Sequence, residues 1–342
     1  MKRYARQITL PQLGMSGQQK LQAASVLVIG AGGLGCPALL YLAGAGVGHI
    51  GIVDFDIVAL HNLHRQVLYT MQDIGRPKAL AAQQHLEARN PDIHVHAYTQ
   101  RLDLEGALTL FPQYDVIIDA TDNFNTRYLV NDCCAWLQKP LVYGSVSQLE
   151  GQVTVFDTPY NYRDLFPEPP APGTIADCEQ GGVLGVLPGI VGTVQATEAI
   201  KLVTGIGTPL RGQLWAYNLS NQSTYMIQYA GSAWRPESEA ALRTLHTPKA
   251  SYTIIDGAQY HALRALEDTL VVDVRQPHEL PASTADLQLP LAELEKQLPA
   301  LAAKHIIIIC QRGIRSERAA ALLAQQYPRV YSLRGGLEAL QP

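Results

Sequence analysis

A chain of 342 residues and 37.3 kDa has room for about two domains of roughly 150 residues each, which excludes a small disulfide-stapled scaffold. Hydrophobic residues make up 47% and charged residues only 16%, against a usual share of about 25%, so disorder is excluded. Lys and Arg number 26 against 30 Asp and Glu, the net charge is -4, and no basic stripe occurs, which argues against nucleic acid or an anionic membrane as a partner.

Met1 to Gln7 lacks the apolar core of a signal peptide, and no run approaches the ~20 apolar residues of a membrane span. Five cysteines without paired spacing do not describe a secreted disulfide framework. The expectation is a cytoplasmic protein.

Ser25 to Gly30 is a short apolar run rich in β-branched residues and ends on glycine, as a buried parallel strand does. A helix follows from about Cys36, with Pro37 in its first turn, where the missing N–H costs little. His49 to Asp54, Asp115 to Asp119 and Pro140 to Tyr143 are the next expected strands, with helices around Arg76–Arg89 and Thr126–Leu137. This alternation predicts a doubly wound α/β sheet. The pattern fails between Asp157 and Cys178, where Pro159, Pro167, Pro169, Pro170 and Pro172 mark a functional loop. A helix from about Gly189 to Leu202 and a strand pair around Gly212–Gln228 close a first domain over 1–229. Residues 230–250 read as a linker and 251–342 as a smaller α/β domain with strands at Leu270–Val274, His305–Ile309 and Arg329–Leu333.

Gly30-Ala31-Gly32-Gly33-Leu34-Gly35 matches G-x-G-x-x-G between a strand and a helix, where glycines admit phosphate or ribose close to the backbone. Asp54, ending the next strand, is placed to accept ribose hydroxyls. Alone, these features fit a nicotinamide-dependent dehydrogenase equally well. Asn62, Arg65, Lys78, Asp122 and Asn123 shift the balance, because two cations and a spare carboxylate suit a triphosphate with Mg²⁺, whereas hydride transfer needs no such set.

Several separated motifs resemble the MoeB/ThiF group of ubiquitin-activating-like adenylyltransferases. They are Arg3-Tyr4-x-Arg6-Gln7, the glycine loop, Asp54-x-Asp56, Asn62-x-x-Arg65-Gln66, Gly75-x-x-Lys78, Asp119-Ala-Thr-Asp122-Asn123 and Glu150-Gly-Gln152. The resemblance implies adenylation, with ATP and Mg²⁺, of the C-terminal glycine of a ubiquitin-fold sulfur-carrier protein by a homodimer. Carried over, Gly33 and Asp54 bind the nucleoside, Asn62, Arg65 and Lys78 the phosphates, Asp122 organises Mg²⁺ beside Asn123, and Arg6 reaches the partner's nucleotide.

Cys178 precedes a helical stretch, where the helix dipole favours a thiolate and Asp177 and Glu179 oppose it. It resembles the family's cysteine that carries an acyl intermediate or receives sulfur. Cys310-Gln-Arg312-Gly-Ile-Arg315-Ser316 lies between an apolar strand and a helix, so backbone N–H groups surround the sulfur and two arginines add positive charge. With Val272-Asp273-Val274-Arg275 and Leu333-Arg334-Gly335-Gly336, it resembles a rhodanese loop, which implies a persulfide on Cys310 loaded by a persulfide or thiosulfate donor. Arg315 falls one place short of the cysteine-phosphatase spacing. Cys36, Cys133 and Cys134 read as packing residues.

Relatives bind zinc through two C-x-x-C pairs. Here the first place reads Asn161-Tyr162-Arg163-Asp164, and no cysteine occurs near 230–236, so no structural zinc is expected. The implied product is a thiocarboxylate on a molybdopterin-synthase-type carrier. Carriers for thiamine thiazole or tRNA thiolation, a thioester-forming enzyme for protein conjugation and a non-catalytic scaffold are the alternatives.

Overall fold

The computed structural model describes residues 2–169, 182–246, 252–276, 279, 285–294, 301, 303–324 and 326–340. Two compact units divide after His246.

The first unit is built on an eight-stranded sheet of order β3-β2-β1-β4-β5-β6-β7-β8. The strands are β1 (Ser25–Ile29), β2 (His49–Val53), β3 (His94–Tyr98), β4 (Val116–Asp119), β5 (Leu141–Ser147), β6 (Glu150–Phe156), β7 (Gln213–Asn218) and β8 (Ser223–Gln228). β3 through β5 run parallel, and β6 to β8 add an antiparallel extension. β1 is central because Val26, Leu27 and Val28 are fully buried on both faces, as a strand covered by helices on each side must be. β3 has no strand signature in sequence: it is a sheet edge, and His94 and His96 face solvent.

The described helices of this unit are α1 (Ala5–Ile8), α2 (Gly14–Ala23), α3 (Gly35–Ala45), α4 (Lys78–Arg89), α5 (Leu104–Leu110), α6 (Phe124–Leu137), α7 (Val186–Thr204) and α8 (Glu239–His246). By length and composition α7 could cross a membrane, a span the sequence reading missed. It is a core helix here: Leu187, Val191, Ala196 and Ala199 pack in the cluster that also holds Val26, Leu39 and Val153.

The stretch expected to be a linker is not one throughout, because Glu239–His246 forms α8 and buries Leu242 completely. His246 Nε2 lies 2.9 Å from Oδ2 of the buried Asp132 on α6. The Arg163 guanidinium donates to the same carboxylate through Nε (2.9 Å) and Nη2 (2.7 Å), and packs over the rings of Tyr128 and Trp234. Asp164 Oδ1 accepts the Ser232 N–H at 3.1 Å. The segments around 161–164 and 232–234 are thus joined by hydrogen bonds and ring contacts.

Burial pushes the Asp132 carboxyl up, but hydrogen bonds from His246, Arg163 and Asn131 outweigh it and hold the group below the usual carboxylate range. Its contribution to stability is therefore present above the unfolded value of ~3.9 and is lost as pH falls through the lower folded value. Asp132→Ala is expected to cost about 3–5 kcal/mol in denaturant unfolding at pH 7, since it leaves Arg163 without its buried counter-charge. Asp132→Asn is expected to flatten the decline in stability below about pH 4. A loss under about 1 kcal/mol would show that the cluster does not hold these segments.

The second unit carries a parallel five-stranded sheet of order β11-β10-β12-β13-β9. Its strands are β9 (Thr253–Ile255), β10 (Thr269–Asp273), β11 (Leu287–Gln288), β12 (His305–Ile309) and β13 (Val330–Leu333). Three helices are described, α9 (Gly257–Arg264), α10 (Leu291–Leu294) and α11 (Ile314–Leu323). β12 alternates between two cores, with Ile306 and Ile308 facing one cluster and Ile307 and Ile309 the other.

Candidate functional site

A cavity of about 840 Å³ opens at the C-terminal ends of β1, β2 and β4. Strand order reverses between β1 and β4, and open α/β sheets bind ligands at such a crevice. Gly30 adopts φ +95°, and a Cβ there would lie 2.8 Å from the Ala120 carbonyl oxygen. A Cβ on Gly35 would lie 1.9 Å from the Gly30 oxygen, so only glycine lets α3 start this close to β1. A Cβ on Gly33 would crowd Pro188 at 3.2 Å and narrow the cavity.

Gly33, Asp54, Asn62, Arg65, Lys78, Asp122 and Asn123 all line this one cavity. Asp54 accepts the Ala31 N–H through Oδ2 (2.8 Å) and the Asp56 N–H through Oδ1 (2.9 Å), which fixes the carboxylate at the end of β2. Burial pushes its carboxyl up, and the Lys78 ammonium and those two amides work in the opposite direction. Lys78, buried at the start of α4, donates to Asp56 Oδ2 at 3.0 Å. Arg65 Nη1 donates to the His61 carbonyl at 3.2 Å. Asn62 Oδ1 accepts the Ala59 N–H, and Asn123 Oδ1 accepts the Thr126 N–H, which makes Asn123 the N-cap of α6. Asp122 is exposed at the cavity wall.

Arg6 is exposed on α1 and does not line the cavity of its own chain. Cys178 lies outside the described residues. Cys36, Cys133 and Cys134 are buried, and burial pushes the thiols of Cys36 and Cys133 up to about 12 and that of Cys134 well above its ordinary value. All three are thus poorly suited to nucleophilic work.

The sequence reading did not single out Phe55, Arg101 and Leu102 as cavity residues. The Arg101 guanidinium lies over the Phe55 ring at 3.9 Å. These positions were hidden because β3 was not recognised, so the loop after it could not be placed beside Asp54. Gln66 closes the cavity floor, and its buried Oε1 has no hydrogen-bond partner.

The cavity fits a nucleoside triphosphate. Its volume, the narrow glycine turn, the cations Arg65 and Lys78 and the exposed carboxylate of Asp122 meet the needs of such a ligand. No group of three or more His, Cys, Asp or Glu that could hold a metal occurs among the described residues. Mg²⁺ needs only one or two carboxylates when phosphates and waters complete its shell, so Asp122 would be enough to hold one.

In the second unit Cys310 ends β12 and is 1% exposed. Its Sγ receives the N–H groups of Gly313 (3.1 Å) and Ser316 (3.3 Å) at the start of α11. Such paired amides stabilise a sulfur anion. Both arginines of the loop also meet carboxylates from elsewhere in the unit. Arg315 donates to both oxygens of Glu279, at 2.6 and 3.0 Å, and Arg312 Nε is 3.4 Å from Glu338 Oε1. Arg275, buried beside β10, pairs with Asp273 and donates to Gln311 Oε1 at 3.0 Å, which ties β10 to the cysteine loop.

Residues 4–234 match the ThiF family model, and residues 256–341 match the rhodanese-like domain model. A sulfur carrier protein adenylyltransferase of Thermus thermophilus is 53% identical over 63% of this chain and 82% of its own. A probable adenylyltransferase/sulfurtransferase, MoeZ, of Mycobacterium tuberculosis is 41% identical over 98% of this chain and 92% of its own. Among solved structures, Escherichia coli MccB shares the fold of the first unit with a TM-score of 0.60 at 21% identity, covering 67% of this chain and 70% of that one.

Proposed function

Since the chain belongs to the ThiF family and carries a rhodanese-like domain behind its adenylyltransferase domain, we propose that it activates a ubiquitin-fold sulfur carrier with ATP and supplies the activated carrier with sulfur. The observation that carries this reading is the single cavity gathering seven residues scattered from Gly33 to Asn123.

Gly33 and Asp54 hold the nucleoside, and Asn62, Arg65 and Lys78 hold the phosphates. Arg65 and Lys78 balance the charge that moves onto the β,γ-diphosphate as the carrier carboxylate attacks the α-phosphorus and pyrophosphate leaves. To act so, Lys78 shares or exchanges its Asp56 contact with a phosphate oxygen. Mg²⁺ at Asp122 would supply Lewis-acid charge to the same oxygens. We assign Arg6, which does not line its own cavity, to the partner's nucleotide in a homodimer, as the resemblance implies.

On Cys310 the persulfide is held by the Gly313 and Ser316 amides. Its terminal sulfur attacks the acyl-adenylate carbon, and AMP leaves. A second thiolate then attacks Cys310 Sγ and releases the thiocarboxylate, and two further cellular thiols, becoming a disulfide themselves, reduce the one left behind. Cys178 is our candidate for that second thiol. The favoured carrier is of the molybdopterin-synthase type, in the cytoplasm, without zinc.

Carrier-dependent ATP–pyrophosphate exchange tests the reading. Exchange is expected with one of a molybdopterin-type and a thiazole-type carrier, and Asp122→Ala is expected to lower it at least ~100-fold. Absence of exchange together with absence of ATP binding would overturn it.

A further inference from the structure

The loop that carries Cys310 contains two arginines, yet each is engaged by a carboxylate from elsewhere in the unit. Arg315 is held by Glu279 through two hydrogen bonds, and the buried Arg275 behind the loop is matched by Asp273. Arg312 is the exposed one, and Glu338 faces it.

Glu338 is not a passing surface residue. Its N–H donates to the Gln311 carbonyl at 3.2 Å, and its neighbour Leu337 donates to the Cys310 carbonyl at 2.9 Å. Its carboxylate also accepts from Gln311 Nε2 at 3.3 Å. The backbone thus fixes a negative charge beside the loop, opposite the one arginine that points to solvent. Beside these paired arginines, the amides at Sγ offer an incoming anion dipolar donors that carry no counter-charge.

We propose that Glu338, by countering Arg312, sets the charge of the sulfur donor that the Cys310 loop accepts, favouring a monoanionic alkyl persulfide over dianionic thiosulfate. This rests on the reading of Cys310 as the persulfide carrier. With the favoured donor, the Cys310 thiolate attacks the terminal sulfur of R–S–S⁻, the donor S–S bond breaks, and R–S⁻ leaves with the electron pair. With thiosulfate the same attack on the sulfane sulfur expels sulfite. Charge and electrons balance in both, but thiosulfate brings one more negative charge to a loop whose own two arginines already face carboxylates.

Glu338→Gln retains the backbone hydrogen bonds and side-chain size while removing the charge. Steady-state sulfur transfer to cyanide from thiosulfate and from benzenethiosulfonate, a monoanion, separates the charge effect from the chemistry. At low ionic strength KM for thiosulfate is expected to fall about three- to tenfold in Glu338→Gln, with a smaller fall for benzenethiosulfonate, and both effects are expected to shrink near ~0.5 M salt. Adding Arg312→Gln to Glu338→Gln is expected to return KM for thiosulfate to within about twofold of the wild type. An unchanged KM in Glu338→Gln, equal shifts for both donors, or a gain that survives Arg312→Gln would overturn the proposal. If the wild type transfers sulfur from neither of these donors nor from an alkyl persulfide, the reading of Cys310 itself fails, and this inference with it.

Discussion

Cys310→Ala is expected to abolish thiocarboxylate formation on the carrier while carrier-dependent ATP–pyrophosphate exchange stays within about twofold of the wild type, because the two chemistries use separate residues in separate units. Cys310 Sγ accepts the backbone N–H groups of Gly313 and Ser316, at 3.1 and 3.3 Å. No conservative replacement restores it: serine lacks both the polarisable nucleophile and the capacity to store a sulfane sulfur. Mass spectrometry of the carrier after incubation with ATP and a sulfur donor reads the outcome directly. A thiocarboxylate yield equal to the wild type would remove Cys310 from the reaction.

Lys78→Met is expected to lower ATP–pyrophosphate exchange by about 10²–10³, equivalent to roughly 3–4 kcal/mol of transition-state stabilisation. The ammonium sits buried at the start of α4 on the cavity wall, where the low dielectric makes its charge effective. Its partner Asp56 is about half exposed and regains water when the lysine is lost, so unfolding free energy is expected to change by under about 1 kcal/mol. The loss should therefore read as a fall in rate without a fall in folded protein. Exchange at the wild-type rate would take Lys78 out of the phosphate site.

Most residues named from the sequence for the nucleotide line a single cavity. The reason is local: the glycine turn, Asp54 and Asp119–Asn123 all sit at the ends of strands whose apolar runs announce themselves, and strand ends are where such a sheet binds ligands. Cys310 was legible for the same reason, between Ile309 and α11. Phe55, Arg101 and Leu102 were not, because β3 is a half-solvated edge strand with no apolar run, and the loop that follows it had no address.

Residue type and spacing in the sequence determined which groups the protein owns: a glycine-rich turn, cations and carboxylates, a thiol at the head of a helix, and no cysteine pairs at 161–164 or 230–236. Tertiary structure alone decided how those charges are balanced. Asp56 on Lys78 lies 22 residues away, Glu338 on Arg312 lies 26, and Glu279 on Arg315 lies 36. Asp132 gathers Arg163 and His246 from 31 and 114 residues away. Charge interacts through space with a strength set by distance and burial, and neither quantity is written in the spacing of residues along the chain.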